Sequence, residues 1–231
     1  MKIVFVGDSL TFGVPGSSYL AVMRERLPDH TLVNWGRVND TVVSLHRRIV
    51  RSRVRERFDL AFLWVGVNDA CRDIFWPFRL VNGLLGQRPA RSVDQFRTCY
   101  RATLDRLCRV SGRVIAVSPA LRGEDTGSWM NCEIDVLGHV IQDLASRDER
   151  VEYLDVRSIF VQALVGRRVS DYHARSAVRV LLDAFTLRSW ERIDRKAAER
   201  GLYFTLDGVH LNSTGAKMVA EAFIRAITEG R

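Results

Sequence analysis

The 231-residue chain has only four cysteines, and their pattern gives them no evident role. None forms a C-x-x-C pair, and no histidine stands at metal-ligand spacing from them. In a reducing compartment we expect free, mostly buried thiols, with a structural disulfide as the alternative. The sequence therefore predicts no metal site. The cysteines are Cys71, Cys99, Cys108 and Cys132.

Long apolar runs are also missing. None approaches the ~20 residues needed to span a bilayer, which excludes an integral membrane helix. The run within Met1–Asp8 is too short for a signal-peptide core, and no small-residue cleavage pattern follows it. We expect the first strand of the fold there, a cytoplasmic protein and no stable membrane insertion. With 47% hydrophobic and 27% charged residues, the composition is typical of a globular protein rather than a disordered one.

Lysine is scarce, since arginine supplies all but three of the 35 basic residues, and the formal net charge is +8. A basic surplus is typical of proteins that bind nucleic acid, membrane surfaces or acidic substrates. The densest arginine run would spread over more than one face of a helix, and Glu56 interrupts it. A solvated helix surface is therefore the better interpretation, and we expect no nucleic-acid partner. The run comprises Arg47, Arg48, Arg51, Arg53, Arg55 and Arg57.

Three common functional motifs are absent. The chain has no G-x-S-x-G, which counts against the α/β-hydrolase family. It has neither G-x-G-x-x-G nor G-x-x-x-x-G-K-[ST], so dinucleotide and P-loop sites lose their main support.

Short apolar runs alternate with longer segments of helical period. We predict strands at Lys2–Val6, Thr31–Trp35, Leu60–Val65, Arg113–Val117 and Val151–Asp155, and helices near Ser17–Leu27, Thr41–Arg57, Ser92–Val110, Asn131–Ser146 and Thr214–Thr228. This alternation predicts an α/β fold, in which a five-stranded, parallel, doubly wound sheet is covered on both faces. Nothing splits the chain, so residues 1–231 are expected to form a single domain.

Two segments exceed a minimal five-strand plan, at about 75–91 and 166–204. Both are candidate lids or pocket walls, because long loops are usually functional. The second contains a helical pattern, and an ordinary packing or dimer helix is an equal alternative, which leaves a homo-oligomer open. The apolar residues near one face of that pattern are Val178, Leu181, Leu182, Phe185 and Ile193.

Four loops carry polar side chains at the predicted carboxyl ends of strands or before the last helix. Ser9 follows the first strand, Gly36 the second and Asn68 the third, and Asp207–His210 precedes the last helix. Each alone has a structural alternative: a helix cap for Ser9, a plain turn at Gly36, an Asx-turn for Asn68 and a structural histidine. Together they supply a nucleophile, oxyanion donors and an Asp–His pair, the set that acyl transfer requires.

With these residues in their order, the sequence resembles the SGNH (GDSL) hydrolase superfamily over nearly its whole length. The matching blocks are Gly7-Asp8-Ser9-Leu10, Gly36, Gly66-Val67-Asn68-Asp69 and Asp207-Gly208-Val209-His210. The resemblance implies a flavodoxin-like three-layer α/β/α sandwich.

The same resemblance assigns roles to single residues. It implies Ser9 as nucleophile, His210 as general base and Asp207 as the residue that orients His210. It implies an oxyanion hole of the Ser9 N–H, the Gly36 N–H and the Asn68 side chain. Where the family often has a second glycine, this chain has Asn39, which tolerates a left-handed backbone, so we expect the turn to survive.

The resemblance implies cleavage of carboxylic or thio esters through an acyl-enzyme on Ser9, with a small-molecule ester as substrate and no metal or organic cofactor. Candidate substrate-pocket residues are Asp8, Leu10, Phe75 and Trp76; the two aromatic residues fit ordinary core equally well. One alternative is an acyltransferase or deacetylase that acts on an acylated sugar or other metabolite with the same residues. Another is a non-catalytic binding protein, against which the complete set of site residues counts.

Overall fold

The computed structural model describes residues 1–52, 56–70, 87–174 and 177–229. Its strands are β1 (Lys2–Gly7), β2 (Thr31–Gly36), β3 (Phe58–Trp64), β4 (Ser111–Val117) and β5 (Val151–Leu154). All pair in parallel, in the order β2-β1-β3-β4-β5. This is the strand order of a flavodoxin-like, doubly wound sheet, and it confirms the predicted fold class.

Helices cover both faces of the sheet. In the described residues they are α1 (Ser9–Phe12), α2 (Tyr19–Arg26), α3 (Val42–Arg51), α4 (Val93–Cys108), α5 (Trp129–Ala145), α6 (Val156–Leu164), α7 (Ala177–Thr186), α8 (Trp190–Glu199) and α9 (Ser213–Glu229). In one layer α3 packs on α4 and α4 on α5, while in the other α9 contacts α2, α6 and α8. The five predicted helices correspond to α2, α3, α4, α5 and α9, and the predicted helical pattern from Val178 corresponds to α7; helices α1, α6 and α8 were not predicted.

Helix α3 and strand β5 are among the predicted elements that end earlier than expected. Helix α3 ends at Arg51 and not at Arg57, because Ser52 takes an extended conformation and its hydroxyl donates to the Ile49 carbonyl. Strand β5 ends before Asp155, whose carboxylate accepts the Ser158 N–H and so caps helix α6. In both cases a short polar side chain bonds the local backbone and ends the element.

The segment 166–204 contains two helices, α7 and α8, rather than one continuous pattern. Ile193 belongs to α8 and is buried, whereas the apolar face of α7 is exposed to solvent. The prediction of one shared face is therefore wrong for Ile193. In the segment 75–91, residues 75–86 lie outside the described residues, as do Cys71, Phe75 and Trp76.

An aromatic cluster fixes α9 and α2 on the sheet beneath the carboxyl end of β1. Phe62 stacks on Phe5 at 5.0 Å and on Phe223 of α9 at 4.5 Å between ring centroids, and Tyr19 of α2 meets Phe223 edge-on. Such pairs add to the burial of large apolar rings. The loops after β1, β2 and β3 therefore start from a rigid base. None of the described helices is long and apolar enough to cross a membrane.

Candidate active site

Ser9 follows β1 through a tight turn into α1. The Asp8 carboxylate accepts the Leu10 N–H at 3.0 Å and caps this short helix. A Cβ at Gly7 would stand 2.2 Å from the Thr11 hydroxyl oxygen and 2.5 Å from the Trp64 carbonyl oxygen. Only glycine fits so close an approach, and it leaves Ser9 at the carboxyl edge of the sheet.

Ser9, His210 and Asp207 form a chain of two hydrogen bonds. Ser9 Oγ lies 3.0 Å from His210 Nε2, although the two residues are 201 positions apart in the sequence. His210 Nδ1 lies 2.8 Å from Asp207 Oδ2. The other carboxylate oxygen, Asp207 Oδ1, accepts the backbone N–H groups of Val209 and His210 at 3.0 and 2.9 Å. This arrangement orients the imidazole with Nε2 toward the serine hydroxyl.

The electrostatics of the buried pair favour the ion pair. Burial of the His210 imidazole opposes its charge, but the charge and hydrogen bond of Asp207 outweigh burial, so the pKa of His210 is raised. Burial likewise opposes the Asp207 charge, yet His210 and two backbone N–H groups keep the pKa of this carboxyl below its usual value. Asp207 therefore stays ionised and stabilises an imidazolium at His210.

Asp8 is a third titratable group beside this pair. Its side chain is buried, and burial raises its pKa to about 7. The N–H of Leu10 and the charge of His210 oppose that rise without cancelling it, and the charge of Asp8 in turn raises the pKa of His210. Asp8 is thus electrostatically coupled to His210.

We call the loops after β1, β2 and β3 the amino-terminal half of the site, and the 205–212 loop the carboxy-terminal half.

Gly36 ends β2 in register with Gly7. A Cβ at Gly36 would lie 2.2 Å from the Phe12 backbone nitrogen, so only glycine lets β2 approach α1. The Gly36 N–H donates to Asn34 Oδ1 at 2.8 Å, in an Asx-turn. To act as an oxyanion donor, Gly36 must share or release that hydrogen bond.

Asn68 extends from the loop after β3. Its Nδ2 donates to the Asp40 carbonyl at 2.9 Å, and an amide carries a second hydrogen on the same nitrogen. The neighbouring Asp69 carboxylate accepts the Val42 N–H at 2.8 Å and the Ala90 N–H at 2.9 Å, which holds this loop against the start of α3. Asn39 has a φ of 64°, so the expected left-handed turn is present without glycine.

Glu124, on the loop after β4, holds the carboxy-terminal half and was missed by sequence reasoning. Its buried carboxylate accepts the N–H groups of Tyr203, Phe204 and Thr205 at 2.7, 3.0 and 3.0 Å, and the Thr205 hydroxyl at 2.8 Å. The rule that drew attention to Ser9 and Asn68, a polar side chain after the carboxyl end of a strand, also applies to the loop after β4.

A second contact reaches the same half from the segment before α7. Ala174 donates its N–H to the Asp207 carbonyl at 2.9 Å. Gly208 has a φ of 92°, and a Cβ there would lie 3.1 Å from the Cα of His173. The carboxy-terminal half is thus held by Glu124 at its start, through Thr205, and by the 170–174 segment at Asp207 and Gly208.

Of the candidate pocket residues, the two that the structure describes, Asp8 and Leu10, are placed unfavourably for substrate contact. Leu10 packs in the hydrophobic core, and Asp8 is buried beneath the serine loop. Among the described residues, no group of three or more metal-ligating side chains comes together. Cys99, Cys108 and Cys132 are free thiols.

Comparison with known proteins gives a family and a fold. The model of the GDSL-like lipase/acylhydrolase family matches residues 5–218. No curated protein sequence matches the chain significantly.

The solved structures that superpose on the chain include two acetylxylan esterases. The acetyl xylan esterase AlAXEase is 22% identical, with 98% of this chain and 100% of that chain covered and a TM-score of 0.67. An acetylxylan esterase from Geobacillus stearothermophilus is 20% identical, with 98% and 93% covered and a TM-score of 0.67. An alpha/beta hydrolase enzyme from the metagenome of Lake Arreo, Spain, is 20% identical, with 98% and 94% covered and a TM-score of 0.68. At these identities the likeness shows a shared fold. Since the family model spans most of the sequence, the chain belongs to the GDSL-like lipase/acylhydrolase family and is an ester hydrolase.

Proposed function

We propose that the protein is a serine hydrolase that cleaves carboxylic or thio esters of small molecules through an acyl-enzyme on Ser9. The observation that carries the proposal is the hydrogen-bonded chain from Ser9 Oγ through His210 to Asp207. A binding protein has no need of a hydroxyl aligned on a base that is itself held by a carboxylate. We also propose that residues 1–231 act as one domain, because Ser9 and His210 come from opposite ends of the chain.

In the first step, His210 Nε2 takes the Ser9 hydroxyl proton while Oγ attacks the ester carbonyl carbon. The carbonyl oxygen becomes an oxyanion, and the proposed donors to it are the Ser9 N–H, the Gly36 N–H and the Asn68 amide. As the first residue of α1, Ser9 has no carbonyl within that helix to which its N–H can donate. Asp207 stabilises the imidazolium. His210 then returns the proton to the leaving alcohol or thiol as the tetrahedral intermediate collapses to the acyl-enzyme.

In the second step, His210 removes a proton from water, which attacks the acyl carbonyl. The second tetrahedral intermediate collapses, Ser9 regains its proton from His210 and the carboxylic acid leaves. These steps use only side chains, backbone N–H groups and water.

The test is hydrolysis of a short p-nitrophenyl ester by wild type and Ser9→Ala, together with labelling by a fluorophosphonate. We expect Ser9→Ala to abolish both turnover and labelling. Ser17→Ala is the matched control, because Ser17 is also buried near the site and its hydroxyl has no hydrogen-bond partner within the described ranges. Turnover retained by Ser9→Ala would overturn the proposal.

A second candidate is a deacetylase, or an acyltransferase with the same residues, acting on acylated sugars. It is favoured by one observation: two structures that share the fold are described as acetylxylan esterases. A panel of esters that varies acyl length and leaving group, run with and without an acceptor alcohol, separates the candidates. A strong preference for acetylated sugars supports the deacetylase, and transfer to the acceptor supports the acyltransferase.

A further inference from the structure

Arg48 directs its guanidinium from helix α3 toward the carboxyl ends of β1 and β2. Its Nε donates to Asp40 Oδ2 at 2.5 Å. Its Nη2 donates to two backbone carbonyls, of Trp35 at 2.7 Å and of Gly7 at 3.1 Å. Arg48 is therefore unlike Arg47 and Arg51 on the same helix, which are exposed.

Each group that Arg48 contacts is either close in sequence to a proposed site residue or hydrogen-bonded to one. Gly7 is two residues before Ser9, and Trp35 immediately precedes Gly36. The backbone carbonyl of Asp40 accepts the Asn68 side-chain amide at 2.9 Å. One guanidinium thus joins the ends of β1 and β2 to Asp40, and Asp40 in turn holds the loop after β3 through Asn68.

The Asp40 carboxylate completes this connection. Its side chain is buried, and its second oxygen accepts the Ser44 hydroxyl of α3 at 2.7 Å. The pairing of Arg48 with Asp40 balances a buried negative charge that would otherwise be costly beside Asp8 and Asp69. The pair therefore fixes both the Asp40 backbone, to which Asn68 is bound, and the ends of β1 and of the edge strand β2.

We propose that Arg48 is a positioning residue, whose contacts with Gly7, Trp35 and Asp40 set the relative placement of Ser9, Gly36 and Asn68. The proposal rests on the proposed function for its catalytic consequence. A planar guanidinium offers five N–H groups in a fixed fork, whereas a lysine ammonium is a compact point charge on a flexible stem. Lysine can pair with Asp40 but cannot reproduce the fork that reaches all three acceptors.

The expected consequence is a loss of rate rather than of substrate binding. Oxyanion donors act only when they already lie where charge develops, and a displacement of about 1 Å can cost about 10²-fold in rate. Arg48 itself is behind the strand ends and contacts no reacting atom in this mechanism. Its removal should therefore lower kcat and leave KM little changed.

The experiment compares Arg48→Met and Arg48→Lys with Arg51→Met, which removes an exposed arginine from the same helix. Two quantities are measured: kcat and KM per site titrated with a fluorophosphonate, and hydrogen–deuterium exchange of peptides that cover residues 7–13 and 34–41. We expect Arg48→Met to lower kcat by about 10²-fold and to raise exchange in those two peptides. Arg48→Lys should fall between Arg48→Met and wild type, and Arg51→Met should match wild type.

Titration of sites removes the contribution of unfolded protein, so loss of stability alone leaves kcat per site unchanged. Unchanged exchange in the two peptides, or a uniform rise over the whole chain with kcat per site intact, would overturn the inference. If wild-type Ser9 is not labelled, the proposed function fails, while the exchange experiment still decides whether Arg48 places the loops. If Arg48→Met does not fold, Arg48→Lys decides: wild-type exchange and kcat in that variant overturn the inference.

Discussion

Helix α3, which backs the amino-terminal half of the site, turns Leu45 and Ile49 into the core and Arg48 toward the strand ends. Helix α7, which follows the segment in contact with the carboxy-terminal half, does the opposite. Leu181 and Phe185 are 58% and 61% exposed, while Asp183 is buried and paired with Arg200. One half of the site is thus built on a core-packed helix and sheet, and the other on a loop held by hydrogen bonds together with the buried side chains of Leu206 and Leu211.

The two halves of the site are positioned by different kinds of contact. Ser9, Gly36 and Asn68 follow strands whose register fixes their start points, and Arg48 and Asp69 refine the loops. No strand among β1–β5 leads into the 205–212 loop, where a single bridge joins Thr205 to Leu211. The carboxylate of Glu124 and the N–H of Ala174 take the place of a strand there.

The largest losses of kcat are expected in the carboxy-terminal half, and they should differ between His210 and Asp207. We expect His210→Ala to lower kcat on the order of 10⁶-fold, because the variant loses the base that is hydrogen-bonded to the Ser9 hydroxyl. Asp207→Asn should cost about 10⁴-fold, because the imidazole is misoriented and its charge is less stabilised. Steady-state kinetics on a p-nitrophenyl ester measures both. Equal losses would give Asp207 a more direct part in the reaction.

Asn68→Ala tests the amino-terminal half. Loss of one oxyanion donor typically costs about 10²–10³-fold in kcat with a modest change in KM. The amide also binds the Asp40 carbonyl, so Asn68→Asp, which keeps the side-chain shape and removes the donor, is the companion variant. An unchanged kcat in both variants would remove Asn68 from the oxyanion hole.

The sequence predicted the amino-terminal half more completely than the carboxy-terminal half, for a physical reason. Strand ends carry local signals: an apolar run, then glycine, then Ser9 or Asn68. The alternation of strands and helices was therefore enough to predict the fold and the edge on which these residues meet. Glu124 also follows a strand, but its role was not predicted, because its partners at 203–205 are about 80 residues away and are mostly backbone N–H groups, which leave no mark in the sequence. The Asx-turn that engages the Gly36 N–H was equally invisible, since it depends on the rotamer of Asn34.

Glu124→Gln tests whether the Glu124 carboxylate holds the 205–212 loop in place. Glutamine keeps one acceptor oxygen but turns an NH₂ group toward a backbone N–H, so we expect a loss of about 1–3 kcal/mol in the free energy of unfolding. The displaced loop should also lower kcat. Urea denaturation and kinetics measure the two effects, with Glu149→Gln, an exposed change, as the control. Stability and kcat equal to wild type would show that other contacts suffice.

The pH dependence tests the coupling between the halves. His210 must be neutral to accept the Ser9 proton, so activity should fall as pH drops through its pKa, which lies above the usual value of about 6.5. The negative charge of Asp8 contributes to that rise, and Asp8→Asn should therefore move the acid limb of kcat/KM to lower pH. Asp29→Asn, on the surface, is the control. An acid limb that stays in place would show that Asp8 is not coupled to His210.

Asp8→Asn should also change how the free energy of unfolding depends on pH. The pKa of Asp8 is about 7 in the folded protein and near 3.8 when unfolded, so folding takes up a proton between these values. Asp8 therefore lowers stability progressively as pH rises from about 4 to about 7, and asparagine removes that loss. We expect Asp8→Asn to gain more stability over wild type at pH 8 than at pH 5 by urea denaturation. A gain independent of pH would contradict the raised pKa.

The smallest effect should come from the outward face of α7. Leu181→Ser and Leu182→Ser change side chains that are 58% and 57% exposed, and surface changes usually stay within about 0.5 kcal/mol. Leu45→Ala, in the buried face of α3, should instead cost about 2–5 kcal/mol. Thermal unfolding at two protein concentrations measures both variants against wild type. A large loss at Leu181 that shrinks on dilution would mean that a second copy covers α7, because self-association stabilises wild type most at high protein concentration. The contrast between the two helices would then hold only for the isolated chain.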